Sequence, residues 1–150
     1  MPAYLVVIDE TEEGRAALRF AARRAARTGG TVEILALIPP QDFVQWGAVQ
    51  AAMEEEARLR AEAMVLQASG AIIEEAGIRP SITVRQGDAV REITELLKSR
   101  EDIAALVLGA AAESSPGPLV SHFAGSAGSL PCPLMIVPGN LGDETLDRLT

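Results

Sequence analysis

Apolar residues along this chain follow two rhythms. Tyr4-Leu5-Val6-Val7-Ile8, Val32 to Ile38, Ile103-Ala104-Ala105-Leu106-Val107-Leu108 and Leu134-Met135-Ile136-Val137 are short apolar runs, as expected of strands covered on both faces. Ile82-Thr83-Val84 alternates with polar neighbours, which suits an outer strand. Between the runs the spacing becomes helical. Ala17, Leu18, Ala21, Ala22 and Ala25 form one buried face, and Val90, Ile93, Leu96 and Leu97 another. A long helix is predicted from about Ala48 to Glu75, and a further one from near Leu119. The punctuation agrees: Thr11 and Asp88 as N-caps, Glu12 and Glu13 in a first turn, Gly29-Gly30 and Gly77 as helix stops, and Pro39-Pro40 closing the second strand. Strand and helix therefore alternate through five strands. This order predicts a single-domain α/β protein, a doubly wound parallel sheet with helices on both faces. The domain is expected to span residues 1–138. The acidic tail 139–150, with Asp143, Glu144 and Asp147 around Leu146 and Leu149, is expected to form a short helix or to fray.

Composition removes several function classes. A net charge of −8 argues against nucleic-acid backbone binding, and no apolar run is long enough to span a bilayer. The single lysine, Lys98, excludes a Gly-Lys-Ser/Thr phosphate loop. The single cysteine, Cys132, excludes an intramolecular disulfide and any multi-cysteine metal site; between two prolines it reads as a buried, inert thiol. The chain enters its first strand without a basic leader, which predicts a cytoplasmic protein.

Other features have two readings each. Arg15, Arg19, Arg23 and Arg27 recur every four residues, as a partner surface or, better, a solvated face. In the long helix, Met53, Ala57, Arg60, Met64, Gln67 and Ala71 trace a shallow apolar stripe, with Met53 and Met64 read as core filler. Glu54-Glu55-Glu56 followed by Arg58 and Arg60 reads as a solvent face with i,i+4 pairing. Phe43 and Trp46 suit a lid over an adenine ring or, preferably, a hydrophobic staple for the next helix. His122 has no Cys or His at ligand spacing, so no metal is expected. Ser114, Ser115 and Ser121 lack a nucleophile turn and read as caps. Asp9 and Glu10 suggest a receiver's acidic pocket, but the phosphoacceptor aspartate and the lysine of receivers are missing. No convergent acid, base and nucleophile can be assembled from the strand ends, so catalysis is not expected.

The stretch from Ile103 to Val137 says most about function. Its strand breaks at Gly109 into a small-residue loop, Ala110 to Pro118, followed by a helix and a strand. In such sheets ligands collect at the carboxyl ends of strands, over a helix N-terminus. Leu5-Val6-Val7-Ile8-Asp9 with Thr11, the helix from Gly14 to Arg27, Gly87-Asp88, Ile103 to Gly109, and Pro131-Cys132-Pro133 running to Pro138 are matching pieces in a familiar order. The chain resembles the universal stress proteins over nearly its whole length. That resemblance implies the sheet order 3-2-1-4-5, homodimers paired through the strand Leu134–Val137, a role in stress tolerance and, in one subgroup, ATP binding by G-x2-G-x9-G-[ST]. Asp9 and Gly109 match that motif. Ala112 replaces its second glycine, His122 stands at the third, and Gly125-Ser126 comes three residues late.

Ala112 would add a Cβ where a phosphate sits, Pro116 and Pro118 each delete an N–H, and Glu113 brings a repelling carboxylate. The nucleotide pocket implied by the resemblance comprises Ile8, Asp9, Leu37, Gly109, Ala110, Ala112, Gly117 and Ser121, with a degraded phosphate loop. The expectation is a non-catalytic, dimeric stress-response protein acting by binding. ATP or AMP is the cofactor such a pocket admits, though none is required. Two alternatives stand beside this reading: an adenine-nucleotide-binding regulator, and a protein-interaction module using Phe43, Trp46 and the acidic long helix.

Overall fold

The computed structural model describes residues 1–9, 11–38 and 47–150, with only the backbone of residues 47, 48 and 50. Glu10, Pro39, Pro40, Phe43 and Trp46, each with an expected role above, lie outside the described residues.

Strands β1 (Ala3–Ile8), β2 (Thr31–Ile38), β3 (Ser81–Gln86), β4 (Ile103–Ala110) and β5 (Leu134–Pro138) form one parallel sheet in the order β3-β2-β1-β4-β5. The helices are α1 (Glu12–Thr28), α2 (Gly47–Ala76), α3 (Ala89–Ser99), α4 (Pro118–Gly125) and α5 (Asp143–Leu149), with one 3-10 turn at Ala127–Ser129. The expected architecture and strand order hold. Because β1 is central, its alternate side chains enter different layers. Tyr4, Val6 and Ile8 pack with α1, α2 and α5, while Leu5 and Val7 pack with α3 and α4.

The caps form where their residue types predict. The Thr11 hydroxyl accepts the Gly14 N–H at 3.1 Å, and the Asp88 carboxylate accepts the Arg91 N–H at 3.0 Å. Gly29 takes the left-handed conformation that ends α1. One boundary differs from expectation. The fourth strand does not break at Gly109 but runs through it to Ala110, so the small-residue loop begins at Ala111.

Helix α2 has 30 residues and is therefore about 45 Å long, against about 26 Å for β2. Ala57 and Ala61 meet Ile38 at the carboxyl end of β2, so the turns before them project past the sheet, where residues 51–56 are all exposed. Met53 is accordingly exposed rather than core filler, whereas Met64 does pack against the core. The buried face of α2 is Ala57, Ala61, Val65 and Ile72. On its outer face Arg58 reaches both Glu55 (2.5 Å) and Glu62 (2.7 Å), the pairing expected of that charged run.

The arginine row of α1 is not simply solvated. Arg19 binds Asp143 at 2.6 Å, Arg23 donates to the Asp143 carbonyl at 3.0 Å, and Arg27 binds Asp147 at 3.3 Å. The acidic tail is their partner: it folds as α5 and inserts Leu146, 1% exposed, into the α1 layer. The ion pairs are open to solvent and contribute at most about 1 kcal/mol each. The buried leucine matters more. Leu146→Ala is expected to lower the unfolding free energy by about 2–4 kcal/mol and Arg27→Ala by less than about 1, measured by urea denaturation.

Candidate functional site

The sheet reverses its winding between β1 and β4, so the crevice above their carboxyl ends is the place to look for ligand chemistry. Asp9 follows β1 directly and is exposed. Its Oδ1 accepts the Thr11 N–H at 3.0 Å and also the Thr11 hydroxyl, which in turn accepts the Gly14 N–H. A Cβ on Gly14 would stand 2.5 Å from that Oδ1, so the carboxylate lies directly over the first turn of α1. Asp9 is thus half committed to capping a helix. Its Oδ2 has no partner among the described residues.

Gly109 plays a different part from the one its motif position suggests. A Cβ there would lie 1.9 Å from the Glu13 carbonyl oxygen, and one on Gly139 would lie 2.6 Å from the Glu13 Cβ. The first turn of α1 therefore rests on the ends of β4 and β5, and both positions are glycine because Glu13, joined at Gly139 by the Ala110 carbonyl, occupies the space. The loop beyond closes on itself, the Ala111 N–H donating to the Pro116 carbonyl at 3.1 Å. Ala112, Glu113, Ser114 and Ser115 are exposed. Gly117, with φ of 105°, caps α4 without any side-chain hydrogen bond, so the expectation that Ser114, Ser115 or Ser121 caps this helix is not met. Pro118 stands at the first helical position, where its missing donor is best tolerated, and leaves Leu119 and Val120 to supply the free first-turn N–H groups. Ser121 is exposed inside α4, with its N–H bonded to the Gly117 carbonyl.

The eight predicted pocket residues stand at or beyond the carboxyl ends of β1, β2 and β4, on both faces of the sheet. Ile8 packs on the α1 face of the sheet, whereas Leu37 and Ala110 pack against the α3 and α4 core on the other. Gly109 lies against the first turn of α1, and Ala112, Gly117 and Ser121 follow it in the loop and helix beyond β4. A cavity of about 680 Å³ shares only Ile8 and Asp9 with that set. It lies between α1 and α2, and its walls carry Arg15, Arg19, Arg60, Met64 and Gln67. Sequence reasoning missed it although one signal was present. Arg60, Met64, Gln67 and Ala71, read as a shallow core stripe, are the α2 wall of this cavity.

Two further groups bear on chemistry. Cys132 is half-buried; burial pushes its thiol up, against a weaker opposing hydrogen bond with the Leu106 backbone. His122 is exposed and sets its ring edge-on to Phe123 at 5.0 Å. Among the described residues no cluster of three or more His, Cys, Asp or Glu could hold a metal ion, and no helix is long and apolar enough to cross a membrane.

The model of the universal stress protein family matches residues 3–138. The chain belongs to the universal stress protein family. Solved structures agree on the fold. The universal stress protein UspA of Lactobacillus plantarum is 19% identical, with 91% of this chain and 97% of that one covered and a TM-score of 0.75. The universal stress protein of Archaeoglobus fulgidus in complex with dAMP is 17% identical, covering 91% and 97%, at a TM-score of 0.61. A universal stress protein family member from Arabidopsis thaliana with AMP bound is 16% identical, covering 97% and 95%, at 0.59. No curated protein sequence matches the chain.

In this universal stress protein the glycine at the end of β4 is required by packing. Gly109→Ala is expected to lower stability by at least about 2–3 kcal/mol, because the obstructing atoms are backbone, while Ala112→Gly on the exposed loop changes it by less than about 1. Chemical denaturation of both variants checks the contrast. Since only the thiolate attacks, Cys132 of the native protein should react with iodoacetamide more slowly at pH 7 than an unfolded control, its rate rising only at a higher pH than the control's.

Proposed function

We propose that this universal stress protein acts by binding rather than by catalysis, as a cytoplasmic stress-response homodimer whose switch-point crevice does not cradle a triphosphate. The observation that carries this reading is the loop after β4. It is tied to itself through Ala111 and Pro116, it presents Glu113 to solvent, and its helix opens with a proline. A polyphosphate needs several inward N–H groups and no neighbouring carboxylate. The pairing surface is the outer edge of β5, which is hydrogen-bonded only to β4 and carries Ile136 at 42% exposure. An apolar edge strand of this kind is a liability that a second copy removes. A lone free cysteine is at home in a reducing compartment.

A second reading has support of its own. The free Oδ2 of Asp9 is an acceptor suited to an adenine amino group, and two of the structural neighbours hold AMP or dAMP. A nucleotide with a single phosphate needs few of the donors that the loop lacks. On this reading AMP occupies the crevice, using Asp9, Gly117 and the α4 N-terminus.

Calorimetric titration with ATP, ADP and AMP separates the readings. AMP is expected to bind more tightly than ATP or neither to bind; micromolar affinity for ATP would overturn the account of the loop. Ile136→Asp is expected to halve the mass seen by light scattering, and an unchanged mass would count against the β5 interface.

A further inference from the structure

The cavity between α1 and α2 shares Asp9 with the crevice that the preceding proposal uses but otherwise has its own lining, which is chemically specific. Its apolar surface comes from Ile8, Leu18 and Ile72, all buried, with Met64 and Ala68 partly so. Its polar surface is dominated by guanidinium groups. Arg15 and Arg19 stand one turn apart on α1, and Arg60 faces them from α2. Arg19 is engaged by Glu75 and Asp143. The guanidinium groups of Arg15 and Arg60 make no hydrogen bond or ion pair with any described residue, so their forks are available to a ligand. Among the described lining residues the acidic group is Asp9, which is turned toward Thr11. The described lining thus carries the guanidiniums of Arg15, Arg19 and Arg60 against the single carboxylate of Asp9, in a chain of net charge −8.

The space exists because α2 offers small side chains to α1. Ala63, Ala68 and Ala71 stand where leucines would close the groove. At about 680 Å³ it has the size of small-molecule sites. A bare inorganic anion would satisfy the arginines and leave the apolar floor in water. A neutral hydrocarbon would cover the floor and leave the guanidiniums without their preferred bidentate acceptor. A molecule with one carboxylate or phosphate head and an apolar body answers both. We propose that the α1–α2 cavity is a binding site for amphiphilic anions of the fatty-acid class, with Arg15 and Arg60 holding the head and Leu18, Met64 and Ile72 receiving the chain.

The test is calorimetric titration of the intact protein with decanoate, octanoate, decylamine and inorganic phosphate. One decanoate per chain is expected to bind, with octanoate about tenfold weaker for its two missing methylenes, and decylamine and phosphate at least tenfold weaker than decanoate. The Arg15→Ala, Arg60→Ala double variant is expected to lose at least tenfold in decanoate affinity. Ala68→Trp, which fills the floor and leaves the arginines in place, should abolish binding, with circular dichroism showing that both variants stay folded. Equal affinity for decylamine, unchanged decanoate binding by the double variant or by Ala68→Trp, or no binding at millimolar decanoate would overturn the proposal. Saturating AMP is expected to leave decanoate binding unchanged. Displacement by AMP would assign the cavity to the nucleotide and overturn the proposal as well.

Discussion

The first turn of α1 lies so close to the ends of β4 and β5 that Glu13 occupies the space a side chain would need, through its backbone carbonyl at Gly109 and through its Cβ at Gly139. Much of the architecture around the crevice follows from this contact. The turn is fixed from the other side by the relay from Gly14 through Thr11 to Asp9, which ties the helix to the end of β1. Three strand ends are thereby gathered around one helical turn. The result is a rigid rim in which Asp9 and Gly109, the two residues that match a nucleotide-binding motif, are already engaged by the protein itself. A binding site built there starts with fewer free groups than the motif suggests.

The other side of α1 is organised by charge and length. Three of its four regularly spaced arginines reach α5, and Leu146 supplies the apolar anchor that holds α5 in place. The remaining one, Arg15, faces α2. That helix is too long for the strand it covers and too rich in alanine to close against α1, so the layer is left with a deep groove instead of a packed seam. Close packing normally fills such a space with side chains. Here it is walled by hydrocarbon and edged with guanidinium.

A buried carboxylate shows the same economy on the opposite face. Glu33, 3% exposed in β2, accepts the Thr83 hydroxyl at 2.5 Å and has Arg100 at 3.6 Å, while Arg100 is itself held by Asp102 at 2.7 Å. The guanidinium beside Asp102 holds that carboxyl below the usual range. Burying an acid is costly unless it is paired, and this pairing ties β2 to β3 and to the end of α3. The edge strand β3 needs such a tie, since its own apolar residues Ile82 and Val84 remain exposed.

The sheet, its winding and most helix ends are legible in the chain's residues alone, because those depend on apolar rhythm and on capping residues a few positions away. Thr11, Asp88 and Gly29 could be read in place for that reason, and so could Pro118 at the start of α4. The departures at Ala112, Glu113 and Pro118 that argue against polyphosphate are legible there too. The tertiary structure alone decided what Gly109 is for, since its constraint comes from Glu13, far away in the chain. It alone gave the arginine row a partner in α5, exposed Met53, buried Glu33, and turned the stripe from Arg60 to Ala71 into a cavity wall. Each of these rests on which helix lies opposite, and the periodicity of one helix carries no information about the side chains or the length of another.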